Sequence, residues 1–265
     1  MRTLKLTIAY DGTAYHGFQR QQNAVAVQQV LEKKLEPLFG HSLVLHGAGR
    51  TDAGVHAAGQ VVSFTTTGTI PAEKICRAAS SLLPADIVVI AAEEVADSFH
   101  ARKSAVAKTY LYRLYQGAFA NPFCRNYTWH IRHPLAVDEM REALQRIEGT
   151  HDFSSFRATG SVMTDPVRTI YEAKCIVENG GIFTLSFTGN GFLYHMVRNL
   201  TGTLVNVGLG RYPGARITEI MAAKDRKAAG VTAPAQGLCL FRVYYDQKQS
   251  FSENNSAFLP EPLDI

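Results

Sequence analysis

From Leu4 to Val95 the hydrophobic period switches from two to 3.6 and back, twice, and few folds accommodate that order. Leu4, Leu6, Ile8 and Tyr10 alternate with polar or small residues, the period of a half-buried strand. Asp11-Gly12-Thr13 supplies a turn, and Val27, Val30, Leu31, Leu35 and Leu38 then form one apolar helical face that Gly40 closes. Leu43-Val44-Leu45 leads into a glycine-rich stretch, after which Gln60 to Thr66, rich in β-branched residues, reads as a third strand. Pro71 opens a second helix with Ile75, Ala78, Ala79 and Leu82 inward, and Pro84 ends it. Ile87 to Val95 reads as a buried strand. Strand–helix–strand–strand–helix–strand predicts an α/β (α+β) unit with a mainly antiparallel sheet flanked by helices.

A second such lobe follows. Ser98-Phe99-His100-Ala101-Arg102-Lys103 is a polar, basic joint, which places the boundary between a lobe at 1–104 and another at 105–246. Val106 to Gln116 is a long strand with Lys108, Tyr110, Tyr112 and Leu114 on one face. Val137, Met140, Leu144 and Ile147 mark an amphipathic helix, and 149–166 reads mostly as loop. Strand patterns at 167–177 and 182–188 flank Glu178-Asn179-Gly180-Gly181, a strong hairpin signal. A helix from about Phe192 to Val207 and a strand from Leu238 to Tyr245 complete the lobe. The tail, 247–265, loses the pattern and is expected to be mobile at its end.

Composition excludes several classes. With 46% hydrophobic and 19% charged residues the chain is globular, and its 265 residues suffice for two cores. The net charge of +4 leans toward an anionic partner, and arginines and lysines gather near the motifs. Cys76, Cys124, Cys175 and Cys239 lie far apart with no Cys-x-x-Cys pair, so they read as reduced and mostly buried. His130 and His133 have no further local ligands, and no metal site is expected. The N-terminus meets Asp11 before a signal-peptide core could form, and the longest apolar run is too short for a bilayer. A soluble cytoplasmic protein is expected.

The stretch with most chemistry in it is Gly47-Ala48-Gly49-Arg50-Thr51-Asp52-Ala53-Gly54-Val55-His56-Ala57. Its glycines allow sharp turns and close approach of another molecule. Arg50 and Asp52, two apart, leave one face of an extended segment, and a guanidinium there favours an ionised, oriented carboxylate. Residue types alone leave two readings: a glycine turn bearing a surface ion pair, or an active site. Arg198, on an otherwise apolar helix turn, is either helix-surface or a buried cation in need of a partner such as Asp52. Tyr110 is either a core strand residue or a ring that stacks on a bound ligand, and Tyr112 shares its face. His56 and His195 read as structural or as facing a bound partner.

Gly-Arg-Thr-Asp-Ala-Gly-Val-His-Ala resembles the signature of the TruA type of tRNA pseudouridine synthase. The resemblance continues in Lys108-Thr109-Tyr110-Leu111-Tyr112-Arg113, in Gly191 to Asn199 and in Ala235-Gln236-Gly237-Leu238-Cys239-Leu240. It implies two α/β lobes with a basic cleft between them, and isomerisation of uridine at positions 38, 39 and 40 of the tRNA anticodon stem-loop. By the same resemblance Asp52 is the catalytic residue, Tyr110 the active-site tyrosine, and the protein a homodimer with tRNA as its partner. Arg50 is available to hold Asp52 or to fill the gap left by a flipped nucleotide. Phe99, His100 and Arg102 resemble a further family block, which implies that they contact the RNA backbone, Arg102 among them, or brace the loop. No cofactor is implied. Pseudouridine formation breaks a C–N glycosidic bond, turns the uracil and makes a C–C bond to the same sugar. A carboxylate is able to attack sugar or base, or to abstract a sugar proton.

Three rivals are weaker. Ala9-Tyr10-Asp11-Gly12-Thr13 mimics the Asp-x-Asp-Gly-Thr of aspartyl-phosphate phosphatases, but Ala9 stands where their nucleophile belongs. A non-catalytic module for structured RNA would have no reason to set Asp52 in the phosphate field. The glycine stretch also lacks the Gly-Lys-[Ser/Thr] ending of a triphosphate-binding loop.

Overall fold

In the computed structural model, which describes residues 1–158 and 165–246, the chain divides into two units. The first comprises Met1–Val106 and the strand that begins at Cys239; the second runs from Ala107 to Leu238. Both are mixed α/β, with mostly antiparallel sheets.

In the first unit, β1 (Arg2–Tyr10) lies between β3 (His56–Thr66) and β4 (Ile87–Val95), antiparallel to both. Register runs from Arg2↔Thr66 to Tyr10↔Ala57 on one side and from Thr3↔Val95 to Tyr10↔Ile87 on the other. The short β2 (His46–Gly47) pairs with β3 at Ser63 and Val62. The expected strand period puts Leu4, Leu6 and Ile8 wholly out of solvent, along with Leu31 and Leu35 of α1 (Val27–Phe39) and Ile75 of α2 (Ala72–Ser80). Each contributes roughly 1.5–3 kcal/mol by burial. Gly40, at φ 74°, closes α1 in the left-handed conformation that favours glycine. β4 departs from expectation. It is an edge strand packed by α2 on one face only, so Val88 and Ile90 are exposed rather than buried.

In the second unit, β5 (Ala107–Gln116) pairs antiparallel with β9 (Ile182–Gly189), and β9 with β8 (Val167–Val177) through the Asn179-Gly180-Gly181 turn. Helices α3 (Val137–Ile147), α4 (Met196–Gly208) and α5 (Arg216–Ala223) complete it. Two strands had no sequence signal. β6 (Trp129–Ile131) adds parallel to β5, and β7 (Gly149–Asp152) pairs with β8 inside the segment read as loop. Three or four residues are too few to establish a period. α4 starts at Met196 rather than Phe192 because His195 sits at φ 61°, outside helical space.

The last strand corrects the expected lobe division. β10 (Leu238–Tyr244) was assigned to the second lobe, yet from Cys239 it belongs to the first unit and runs parallel to β3, with Cys239↔His56 and Leu240↔Ala57. The tail at 247–265 lies outside the described residues. Among those described, no helix is long and apolar enough to cross a membrane, and no three His, Cys, Asp or Glu residues cluster to hold a metal.

Candidate active site

The turn bearing Asp52 bridges β2 and β3, and neighbouring groups take hold of it on several sides. The Thr51 hydroxyl meets the Tyr10 hydroxyl at 2.8 Å in a buried contact, and the Thr51 carbonyl accepts from Phe18 N–H at 3.1 Å. Upstream, the Gln60 amide donates to Gly49 O at 2.8 Å and Ala48 N–H to Val61 O at 2.8 Å. Downstream, Gly54 N–H reaches Tyr15 O at 3.1 Å, and Val55 N–H closes the turn on Asp52 O at 3.2 Å. Gly54 has φ 77°, which makes it the glycine that the turn needs for its backbone. Each bond is worth only about 1 kcal/mol net, but together they fix the loop before any ligand arrives. Asp52 itself is half-buried.

The Asp-Gly-Thr sequence after β1 turns out to be a brace. Gly12 N–H and Asp11 Oδ1 converge on Nδ1 of the buried His56, at 3.0 and 3.1 Å. Asp11 Oδ1 also takes the Thr13 N–H at 2.9 Å. A Cβ on Gly12 would lie 2.0 Å from Val55 O, so no other residue permits this approach. These contacts hold the His56 ring against the turn after β1.

A second support comes from α1. Glu32, 7% exposed, accepts from Leu45 N–H at 3.1 Å and from the Gln28 amide at 2.9 Å through Oε1, and pairs with Arg20 at 3.0 Å through Oε2. The Gln28 amide also reaches Leu45 O at 3.1 Å. A buried carboxylate thus ties α1 to the segment entering β2. Sequence reading passed over this, although Gln28 and Glu32 fall on the Leu31–Leu35 side of the helix at a spacing of four, where a polar pair is out of place.

The site residues named from sequence divide between the units. Asp52, Arg50 and Arg102 are in the first; Tyr110 and Arg198 are in the second. Arg50 is exposed, and its Nε donates to Gln19 Oε1 at 3.0 Å, which anchors it to the loop before α1. Arg102 is exposed too, and its N–H donates to His100 Nδ1 at 3.1 Å. The His100 ring stacks on His46 of β2, with centroids 4.9 Å apart. Burial, then the charges of His46 and Lys103, push His100 below the ordinary imidazole value, so the ring stays neutral and able to accept.

On β5, Tyr110 is 8% exposed and packs edge-to-face against Phe192, centroids 5.0 Å apart. Tyr112 is fully buried, with its hydroxyl donated to Pro234 O at 2.7 Å, and burial raises its pKa. Arg198, in the first turn of α4, donates from Nε to Ala233 O at 2.8 Å, and its own carbonyl accepts from Ala233 N–H at 3.1 Å. The strained His195 directly precedes that turn, its ring 4.0 Å from Tyr194.

A half-buried carboxylate in a pre-ordered glycine turn is equipped for nucleophilic attack or for proton transfer. The family model described as tRNA pseudouridine synthase matches residues 6–102 and 143–246, which include the Asp52 turn, Arg198 and β10. The tRNA pseudouridine synthase A of Thermoanaerobacter sp. (strain X514) is 48% identical over 245 residues, 92% of this chain and 100% of that protein. The enzymes of that name from Ruminiclostridium cellulolyticum and Streptococcus pneumoniae (strain P1031) are each 46% identical, over 92% and 93% of this chain and 100% of their own lengths. The clamped aspartate turn, its brace and the parallel strand beside it thus lie within a match that runs almost end to end, and the chain belongs to the tRNA pseudouridine synthase family.

Proposed function

We propose that this chain isomerises uridine to pseudouridine at positions 38, 39 and 40 of the tRNA anticodon stem-loop, with Asp52 as the essential carboxylate. Family membership carries the activity class, an isomerase acting on tRNA. The observation that supports Asp52 is its setting: a half-buried carboxylate in a turn held by Tyr10, Tyr15, Phe18 and Gln60. All substrate atoms remain in the product and no electrons are exchanged, so the reaction needs no cofactor. Tyr110 stacks on the uracil, while Arg198, Arg50 and Arg102 engage the RNA. Neighbouring target positions differ in sequence, so backbone and shape contacts dominate recognition. A homodimer working in the cytoplasm, with one tRNA across both subunits, completes the reading; the exposed Val88 and Ile90 on edge strand β4 are compatible with a protein contact.

The test is Asp52→Ala. It should form no pseudouridine while holding tRNA within a few-fold of wild type, because the lost carboxylate does chemistry and repels phosphate. Normal turnover by the variant rules Asp52 out. Wild-type protein that binds tRNA and never forms pseudouridine would be the non-catalytic RNA module instead. Sequencing of tRNA from cells lacking the gene checks the positions.

A further inference from the structure

From Ser98 to Val137 the chain has six Lys or Arg and no Asp or Glu, so the whole +4 excess lies in this stretch and the remainder is slightly acidic. The Arg102 loop and Tyr110 fall in its first part. Its second part, the connection from β5 to β6, exposes Phe119 by 85% and Phe123 by 73%. This loop is held in place. Gly117 N–H donates to Ile131 O at 3.1 Å, and His130 Nε2 lies 2.7 Å from Gly117 O. Phe123 N–H rests on Asn121 Oδ1 at 2.9 Å, and the Thr128 hydroxyl on Cys124 O at 3.0 Å. Arg125 donates to Pro122 O at 2.7 Å, which fixes its guanidinium close to Phe123 in the chain. Two large rings are thus displayed from an ordered loop whose one charged residue is the exposed Arg125, with Arg132 also exposed just after it.

An apolar patch of this kind would suit either another protein or a nucleic-acid base. The charge decides between them. A second copy of this chain meeting the loop about a twofold axis would bring arginine against arginine with no carboxylate to pair them. Rings flanked by guanidinium groups are what unstacked RNA bases pack on. Tyr110 and Gln116 stand about 20 Å apart along β5, at about 3.3 Å per residue, so the base held here is not the one being isomerised. We infer that Phe119 and Phe123 stack on unpaired bases of the same tRNA, away from the target uridine. The inference rests on the tRNA reading above.

The experiment replaces both rings by leucine, Phe119→Leu with Phe123→Leu, and in parallel both by tyrosine. Leucine keeps apolar bulk and loses the stacking face; tyrosine keeps the face. The leucine pair should weaken tRNA binding and raise KM ten- to a hundredfold, with kcat within about twofold, while the tyrosine pair matches wild type. Sedimentation velocity should show no change of oligomeric state. Wild-type affinity in the leucine pair overturns the inference, and so does an altered oligomeric state with tRNA affinity intact, which would make the loop a protein contact. A wild-type enzyme that forms no pseudouridine defeats the earlier reading, whereas an active wild type with an unaffected leucine pair defeats only this one.

Discussion

Tyr110 and Tyr112 leave the same face of β5, yet their hydroxyls have different prospects. The Tyr112 phenol is spent on Pro234 O in the core, so Tyr112→Phe should cost about 1 kcal/mol of stability and leave turnover unchanged. Tyr110 separates two roles through two variants. Tyr110→Phe keeps the ring and should bind tRNA normally; if the phenol moves the C5 proton, single-turnover rates will fall a hundredfold or more. Tyr110→Ala also loses stacking, worth about 1–3 kcal/mol, and should weaken binding. If both variants behave as wild type, Tyr110 is only core. At this scale the motif residues were legible because glycine, arginine and aspartate crowd into one short turn. Their supports were not. Tyr10 reads as an ordinary strand residue, and its bond to Thr51 joins positions 41 apart, with no local pattern to announce it.

α1 was legible as an element but not in its purpose. Its apolar face was evident in Leu31 and Leu35, but Gln28 and Glu32 on that side carry the polar contacts that hold the segment ahead of the Asp52 turn. Glu32→Ala would leave Leu45 N–H without its acceptor, and we expect a loss of about 2–4 kcal/mol in urea unfolding together with a lower kcat. Glu32→Gln, which retains one carbonyl oxygen, should fall between. A Glu32→Ala protein within about 0.5 kcal/mol of wild type would show that the network is dispensable. The elements that escaped sequence reading share a cause. β6 and β7 are too short to show alternation, and α4 loses its expected first turn to the left-handed backbone of His195, a conformation that side-chain hydropathy does not report. The same limit explains Val88 and Ile90: a run of apolar residues says strand, but not whether that strand lies at an edge.

Over the whole molecule, a positive excess concentrated in one stretch predicts salt-sensitive binding. With about six phosphate contacts, tRNA affinity should fall roughly a thousandfold between about 50 and 200 mM salt; a flat titration would contradict phosphate-led recognition. The mixed α/β class was foreseeable from the repeated change of period. The partner of the final strand was not, because parallel pairing between β3 and β10 links residues far apart in the chain and leaves no local trace. That pairing governs how the protein is born. When the Asp52 turn leaves the ribosome, the strand beside His56 and Ala57 is still roughly 180 residues from being translated, a delay of about ten to forty seconds at ~5–20 residues per second. Throughout that interval the nascent chain shows an unzipped sheet edge next to its Asp52 turn, open to any stray strand. A message broken late, before codon 239, would yield a product with every residue of the signature and no finished sheet to hold it.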